Sequence, residues 1–331
     1  MNYLLGLIIS IALGFLATNA IRSQGKMDPF WLIISSTGLG VAISAHIGFY
    51  SLFIAGTYSI PAVWAGHVII ATLLLIINYR IYKNHLSTML PTLRADRKAW
   101  IGLLIASLLL VPLWREAHFF PFGGWDAWAS WNLKTKFIFL AGDQWKNMMD
   151  PSMWRSNNQY PFFLPLVNAW GWCVAQQPSV STGLFNAILF SFFTACLMFW
   201  GLHRLGKGIL SVLPPLVLFS IPFINTLSIS QYSDIVLAFY LLGCLTSIII
   251  ALREKNHALA MTSGMFCGIM GFIKTEGLLA FMICVVVITS YILAAKKESK
   301  SLFPSFILPA LYSALPAIFF SLFWSTENVS F

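Results

Sequence analysis

From Tyr3 onward the chain alternates long, unbroken apolar runs with short polar joints. The runs show no every-other-residue polarity, which marks them as helical rather than as strands of a barrel. A helix crosses the hydrocarbon core of a bilayer with about 20 apolar residues. Counted on that basis, the pattern predicts about ten crossings, over residues 3–20, 30–54, 61–79, 100–113, 182–202, 209–227, 235–252, 258–273, 277–295 and 302–324. The runs 100–113 and 258–273 are short, and reach full depth only with flanking residues or where the bilayer thins. The expected fold class is all-α: a polytopic membrane protein of about ten transmembrane helices, with a re-entrant or interfacial segment and juxtamembrane helices in one large outer loop. Three parts follow: a four-helix membrane extension over 1–114, an extracytoplasmic loop over 115–181, and a six-helix membrane part over 182–331.

Composition agrees with the pattern. The chain is 58% hydrophobic and 9% charged, against about 25% charged in soluble domains. Tyr3 to Ala20 lacks a basic stretch ahead of it, so it reads as a permanent helix rather than a cleaved signal. Five cysteines (Cys173, Cys196, Cys244, Cys267, Cys284) sit in or beside apolar runs with no metal-site spacing, and read as small buried hydrophobes. His46 and His67 fall inside the second and third runs, where a helix–helix hydrogen bond is the plain expectation.

Lysine and arginine set the orientation, because they concentrate in cytoplasmic loops. Fourteen of the twenty basic residues fall in one alternating set of joints, which includes Arg22, Lys26, Arg94, Arg97, Lys98, Arg204, Arg253 and Lys297. That set is expected inside a cell inner (plasma) membrane, with both termini and the loop 115–181 outside. The net charge of +9 is then mainly a topology signal, and no nucleic-acid partner is expected. Tyr160 to Gln177 is apolar enough to enter the membrane. A full crossing there would move every later basic joint outside, so the segment reads as re-entrant or lying along the surface; a true span stays open if the charge rule is broken.

The outer side carries a basic surplus that the charge rule does not explain: Arg115, Lys134, Lys136, Lys146, Arg155 and Lys274. An anion bound there is one account of it. Carboxylates are few. Asp126 lies in GGWDAWASWNLKTK between Trp125 and Trp128, where an aromatic and cationic belt anchoring an interfacial helix is the plainer reading and catalysis the sharper one. Asp234, in SISQYSDIVLAFY, suits either a helix N-terminus or a reaction site. Lys274 and Glu276, in GFIKTEGLLAF, suit either a solvated turn or a costly, functional pair at membrane depth. No HExxH, CxxC pair, nucleotide-binding glycine loop or GxSxG occurs.

GGWDAWASWNLKTKFIFLAG followed by NQYPFFLPL, then QYSDIVLAF and FIKTEGLL in that order, resembles the bacterial multi-pass glycosyltransferases of the GT-C superfamily. That group includes protein O-mannosyltransferases and the lipid A aminoarabinose transferase. The resemblance covers roughly Phe119 to Ala280. It implies a GT-C-like fold in which 182–331 is the membrane part of the catalytic module. It implies transfer of a sugar from a polyprenyl-phosphate carrier to an extracytoplasmic glycolipid, polysaccharide or protein hydroxyl, with inversion. Asp126 then corresponds to the loop carboxylate that acts as base or contacts a metal, and Asp234 to the acidic residue at the later outer helix start. Tyr160 and Pro161 match the proline-rich entry. Trp125, Trp128, Lys134, Lys136, Arg155, Tyr160, Lys274 and Glu276 are the expected substrate-binding residues. The acidic loop follows the fourth crossing here, whereas in the relatives it follows the first. The resemblance fixes no cofactor, and a divalent cation and a partner subunit stay open. The alternatives are a transporter or flippase of lipid-linked sugar, or a non-catalytic accessory membrane subunit.

Overall fold

The computed structural model describes residues 2–83, 104, 107, 108, 111, 113, 115–295 and 297–328. The described residues are helical, without strands. The long helices are α1 (Tyr3–Arg22), α2 (Pro29–Ile54) and α3 (Ile60–Tyr82) before the large loop. The loop holds a π-helical turn (Ala127–Trp131), α4 (Asn132–Leu140), two 3₁₀ segments (Gly142–Met149, Pro151–Ser156) and α5 (Phe163–Ala175). After it come α6 (Val180–Arg204), α7 (Leu213–Ser220), α8 (Pro222–Ile229), α9 (Ser233–Glu254), α10 (His257–Ile273), α11 (Thr275–Ala294), α12 (Leu302–Ser313) and α13 (Leu315–Asn328).

Local signals start several helices. Asp28 and Ser59 accept hydrogen bonds from Trp31 N and Ala62 N, each with proline in the first helical turn, and Asn256 accepts from Leu259 N. Among the described residues, six helices (α1, α2, α3, α6, α9 and α11) are long and apolar enough to cross a bilayer, or eight if two bent pairs each count as one span. The expected crossing 100–113, and Arg94, Arg97 and Lys98, lie wholly or largely outside the described residues.

Two expected continuous helices are broken. The run 209–227 bends by 78° between α7 and α8, at Ile221. Pro222 has no N–H and crowds the preceding residue out of the helical region, so Ile221 is extended (φ −82°, ψ 116°). The run 302–324 bends by 42° between α12 and α13, where Pro316 likewise removes a backbone donor.

α2 and α10 form the centre, α10 buried along nearly its whole length and α2 over most of its residues; α3 shows mostly apolar side chains outward, as a lipid-facing helix does. Lipid tails are as apolar as leucine, so close packing and polar links must hold such helices together. At Gly264 and Gly268 the α12 backbone comes so near that an added Cβ would overlap the carbonyl oxygens of Phe306 and Ala310. His67 Nε2 meets Ser44 Oγ at 3.1 Å and its ring stacks on Trp170 at 3.7 Å; His46 Nε2 lies 3.2 Å from Ser313 O. Both histidines therefore link helices. The five cysteines are free and buried.

One end of the bundle is fastened by ion pairs. Arg204 reaches Asp28 at 3.2 Å and Glu254 at 2.6 Å, Trp200 Nε1 donates to Asp28 Oδ2 at 2.8 Å, and Lys255 pairs with Glu298. This end holds the joints that the basic residues mark as one face. The loop 115–160 and the α10–α11 joint lie at the other.

Candidate functional site

Asp234 stands in the first turn of α9, where a carboxylate meets the positive end of the helix dipole. Lys274 is the single residue between α10 and α11, with an extended backbone (φ −157°, ψ 159°). Glu276 follows in the first turn of α11. Lys274 Nζ lies 3.0 Å from Asp234 Oδ1 and 3.5 Å from Glu276 Oε1. The Tyr160 hydroxyl donates to Glu276 Oε1 at 3.4 Å, and Lys274 Nζ sits 5.3 Å from the centre of the Tyr160 ring. Partial burial lowers the affinity of Lys274 for its proton, but the bond to Asp234 and its charge, with Tyr160 and Glu276, outweigh that and leave its pKa raised.

Tyr160 joins this cluster to the tryptophan-rich segment. The Trp131 indole stacks on its ring at 5.4 Å with planes 6° apart. Burial raises the pKa of the Tyr160 phenol, Lys274 opposes the rise, and the charges of Glu276 and Asp126 add to it. Two carboxylates, Asp234 and Glu276, flank one ammonium, so the contacted cluster is net acidic.

Asp126 is held in place by backbone packing. Gly124 N donates to Ser230 O at 3.0 Å. Gly123 has φ +70°, and a Cβ there would come within 2.6 Å of Ser230 O; one at Gly124 would collide with the Tyr232 hydroxyl. Only glycine lets the start of the Trp125 turn lie against the residues that precede Asp234. The π-helical turn after Asp126, a feature frequent at functional sites, carries Trp131 inward toward Tyr160.

A chain of amides extends the same joint into the bundle. Gln231, itself at φ +60°, donates to Pro121 O at 2.9 Å and accepts from Asn132 Nδ2 at 3.1 Å. Asn132 accepts from Asn168 at 3.2 Å, and Asn168 from Asn186 at 2.8 Å. Four elements are tied this way, and the sequence reading assigned none of these residues a role. Solitary asparagines inside apolar runs, as in LPLVNAWGW and GLFNAILF, were the available signal. The Trp131 indole N–H and the Ser233 hydroxyl, both buried, have no hydrogen-bond partner among the described residues.

The remaining expected binding residues lie differently. Lys134 is fully buried; its Nζ donates to Asn157 O at 2.7 Å and Tyr160 O at 3.0 Å, and faces the rings of Trp131, Tyr160 and Phe162 at 5.8 to 5.9 Å. Burial pushes its pKa down to about 7. It holds the 157–160 turn, which includes the left-handed Asn157. Lys136 is exposed, and Arg155 is exposed over the Trp154 ring at 5.1 Å; neither contacts the Asp234–Lys274 pair. Trp125 and Trp128 are half exposed and packed edge to face at 4.3 Å.

Among the described residues no three imidazole, thiol or carboxylate groups converge as metal ligands. The described donor set does not fit a cation held by three such groups. No family model, curated protein or solved structure matches the chain.

Proposed function

We propose that this chain is a multi-pass glycosyltransferase of GT-C type, which moves a sugar from a polyprenyl-phosphate carrier to an acceptor hydroxyl on the outer face of a cell membrane. One observation carries the reading. Four segments far apart in sequence, around Asp126, Tyr160, Asp234 and Lys274–Glu276, gather at one end of the bundle. A site for a membrane-surface substrate belongs at such an end. The proposal includes the ten-crossing topology, the basic end in the cytoplasm, and α5 as a re-entrant rather than spanning element.

In this scheme Asp126 takes the proton from the acceptor hydroxyl, whose oxygen attacks the anomeric carbon in line. The bond to the carrier phosphate breaks, its electron pair leaves with the phosphate, and the configuration inverts. Lys274, held by Asp234 and Glu276, meets the charge on the departing phosphate. The exposed Trp125 and Trp128 offer faces for the sugar or the isoprenoid. Lys134 positions Tyr160 rather than touching substrate. No step is routed through a metal.

The break between α7 and α8, with α8 running on to Ser230 and Gln231, favours a second reading, since broken helices line transporter sites. Purified protein supplied with a radiolabelled polyprenyl-phosphate sugar and candidate acceptors separates the two. Transfer of label is expected, and Asp126→Asn should reduce it by roughly 10² to 10⁴, the worth of a general base. Turnover near wild type in that variant removes Asp126 from the chemistry. Label that crosses vesicles unaltered supports transport instead.

A further inference from the structure

A cavity of about 450 Å³ opens on the lipid-facing side between α9 and α11, at the bundle end opposite the acidic cluster. Its walls are apolar and turned outward: Leu245 is 39% exposed, Ile249 50% and Val287 59%. Its mouth is polar, with Arg253 in the last turn of α9, Tyr291 near the end of α11, and Ser299 just beyond. A trough of this form, greasy along the helices and cationic at headgroup level, matches a phospholipid in both halves.

The charges around the mouth point to the sign of the headgroup. The described carboxylates of this end are already engaged: Asp28 and Glu254 by Arg204, Glu298 by Lys255. The Arg253 guanidinium is exposed and makes no ion pair or hydrogen bond with any described residue. Lys296, Lys297 and Lys300 follow the cavity wall in sequence. Arg253 gains something from the helix dipole, but that does not account for an apolar trough ending at its side chain.

We infer that the α9–α11 trough binds one anionic glycerophospholipid of the basic-side leaflet, its acyl chain along Leu245, Ile249 and Val287 and its phosphate at Arg253, Tyr291 and Ser299. The site is independent of the proposed transfer reaction, and binding alone tests it. The full chain, released intact from nanodiscs of mixed phosphatidylglycerol and phosphatidylethanolamine, is weighed by native mass spectrometry. Preferential retention of phosphatidylglycerol is expected. Arg253→Gln should weaken it about fivefold, the weight of one basic residue at an anionic surface. Ile249→Trp, which fills the trough without altering charge, should weaken both lipids. Lys207→Gln, an exposed basic residue of the same end outside the trough, should leave retention unchanged. Equal retention of the two lipids, or an Arg253→Gln effect no larger than that of Lys207→Gln, overturns the inference. Displacement of the lipid by an equal concentration of soluble glycerol phosphate also overturns it, because the chain would then contribute nothing.

Discussion

Lys134→Met replaces a fully buried amine with an apolar side chain of similar length, and the consequence depends on pH in a way few substitutions do. In the folded chain the amine titrates near 7, against 10.5 for an unburied lysine. Between those values the unfolded chain holds the extra proton. Stability therefore rises with pH across that window, at about 1.4 kcal/mol per pH unit, and is flat with respect to this group below it. A neutral amine still has two N–H donors, enough for Asn157 O and Tyr160 O. Methionine has none, so two part-buried carbonyls lose their donors, at up to roughly 1 to 3 kcal/mol each. The difference between the two proteins should shift in favour of wild type by about 2 kcal/mol from pH 7.5 to 9. Thermal unfolding in detergent, followed by intrinsic tryptophan fluorescence at both pH values, reads the difference, since the rest of the molecule titrates alike in the two proteins. Parallel pH profiles would refute a buried, weakly basic Lys134, whatever the offset between them.

Three further outcomes test other parts of the site and frame. In a double-mutant cycle of Asp234→Asn and Lys274→Met, thermal stability should show a coupling of at most about 1 kcal/mol, because the carboxylate is partly exposed, whereas sugar transfer should fall in either single variant. Gly124→Ala should force the Trp125 turn off the Tyr232 hydroxyl, which tryptophan fluorescence and loss of transfer would report together; unchanged transfer would show that the fit is slack. Asn168→Leu strands Asn132 and Asn186 and should cost roughly 1 to 3 kcal/mol in unfolding, and Gly268→Leu, which drives a side chain into the α12 backbone, should cost more and lower the yield of monodisperse protein by size-exclusion chromatography.

How much of this was legible differs by element. The apolar runs located α1, α2, α3, α6, α9 and α11 within a few residues, because continuous hydrophobicity is a strong and local signal. The breaks at Ile221 and Ala314 were carried by Pro222 and Pro316, but proline is tolerated inside membrane helices often enough that hydropathy alone runs through it. The association of Asp234 with Lys274 and Glu276 agrees with the short α10–α11 joint and the helix start at Ser233. The burial of Lys134 was not legible: lysine beside tryptophan in an outer loop reads as surface, and only the fold brings two free carbonyls to it. The amide chain from Gln231 to Asn186 was hidden for the same reason, since its members are 18 to 99 residues apart in sequence.

Lys274 is the whole of the connection between two antiparallel helices. A joint one residue long leaves no slack, and its side chain is already clamped to the neighbouring helix. The base of the acidic cluster is therefore a fixed anvil, unable to open without unpicking α10 from α9.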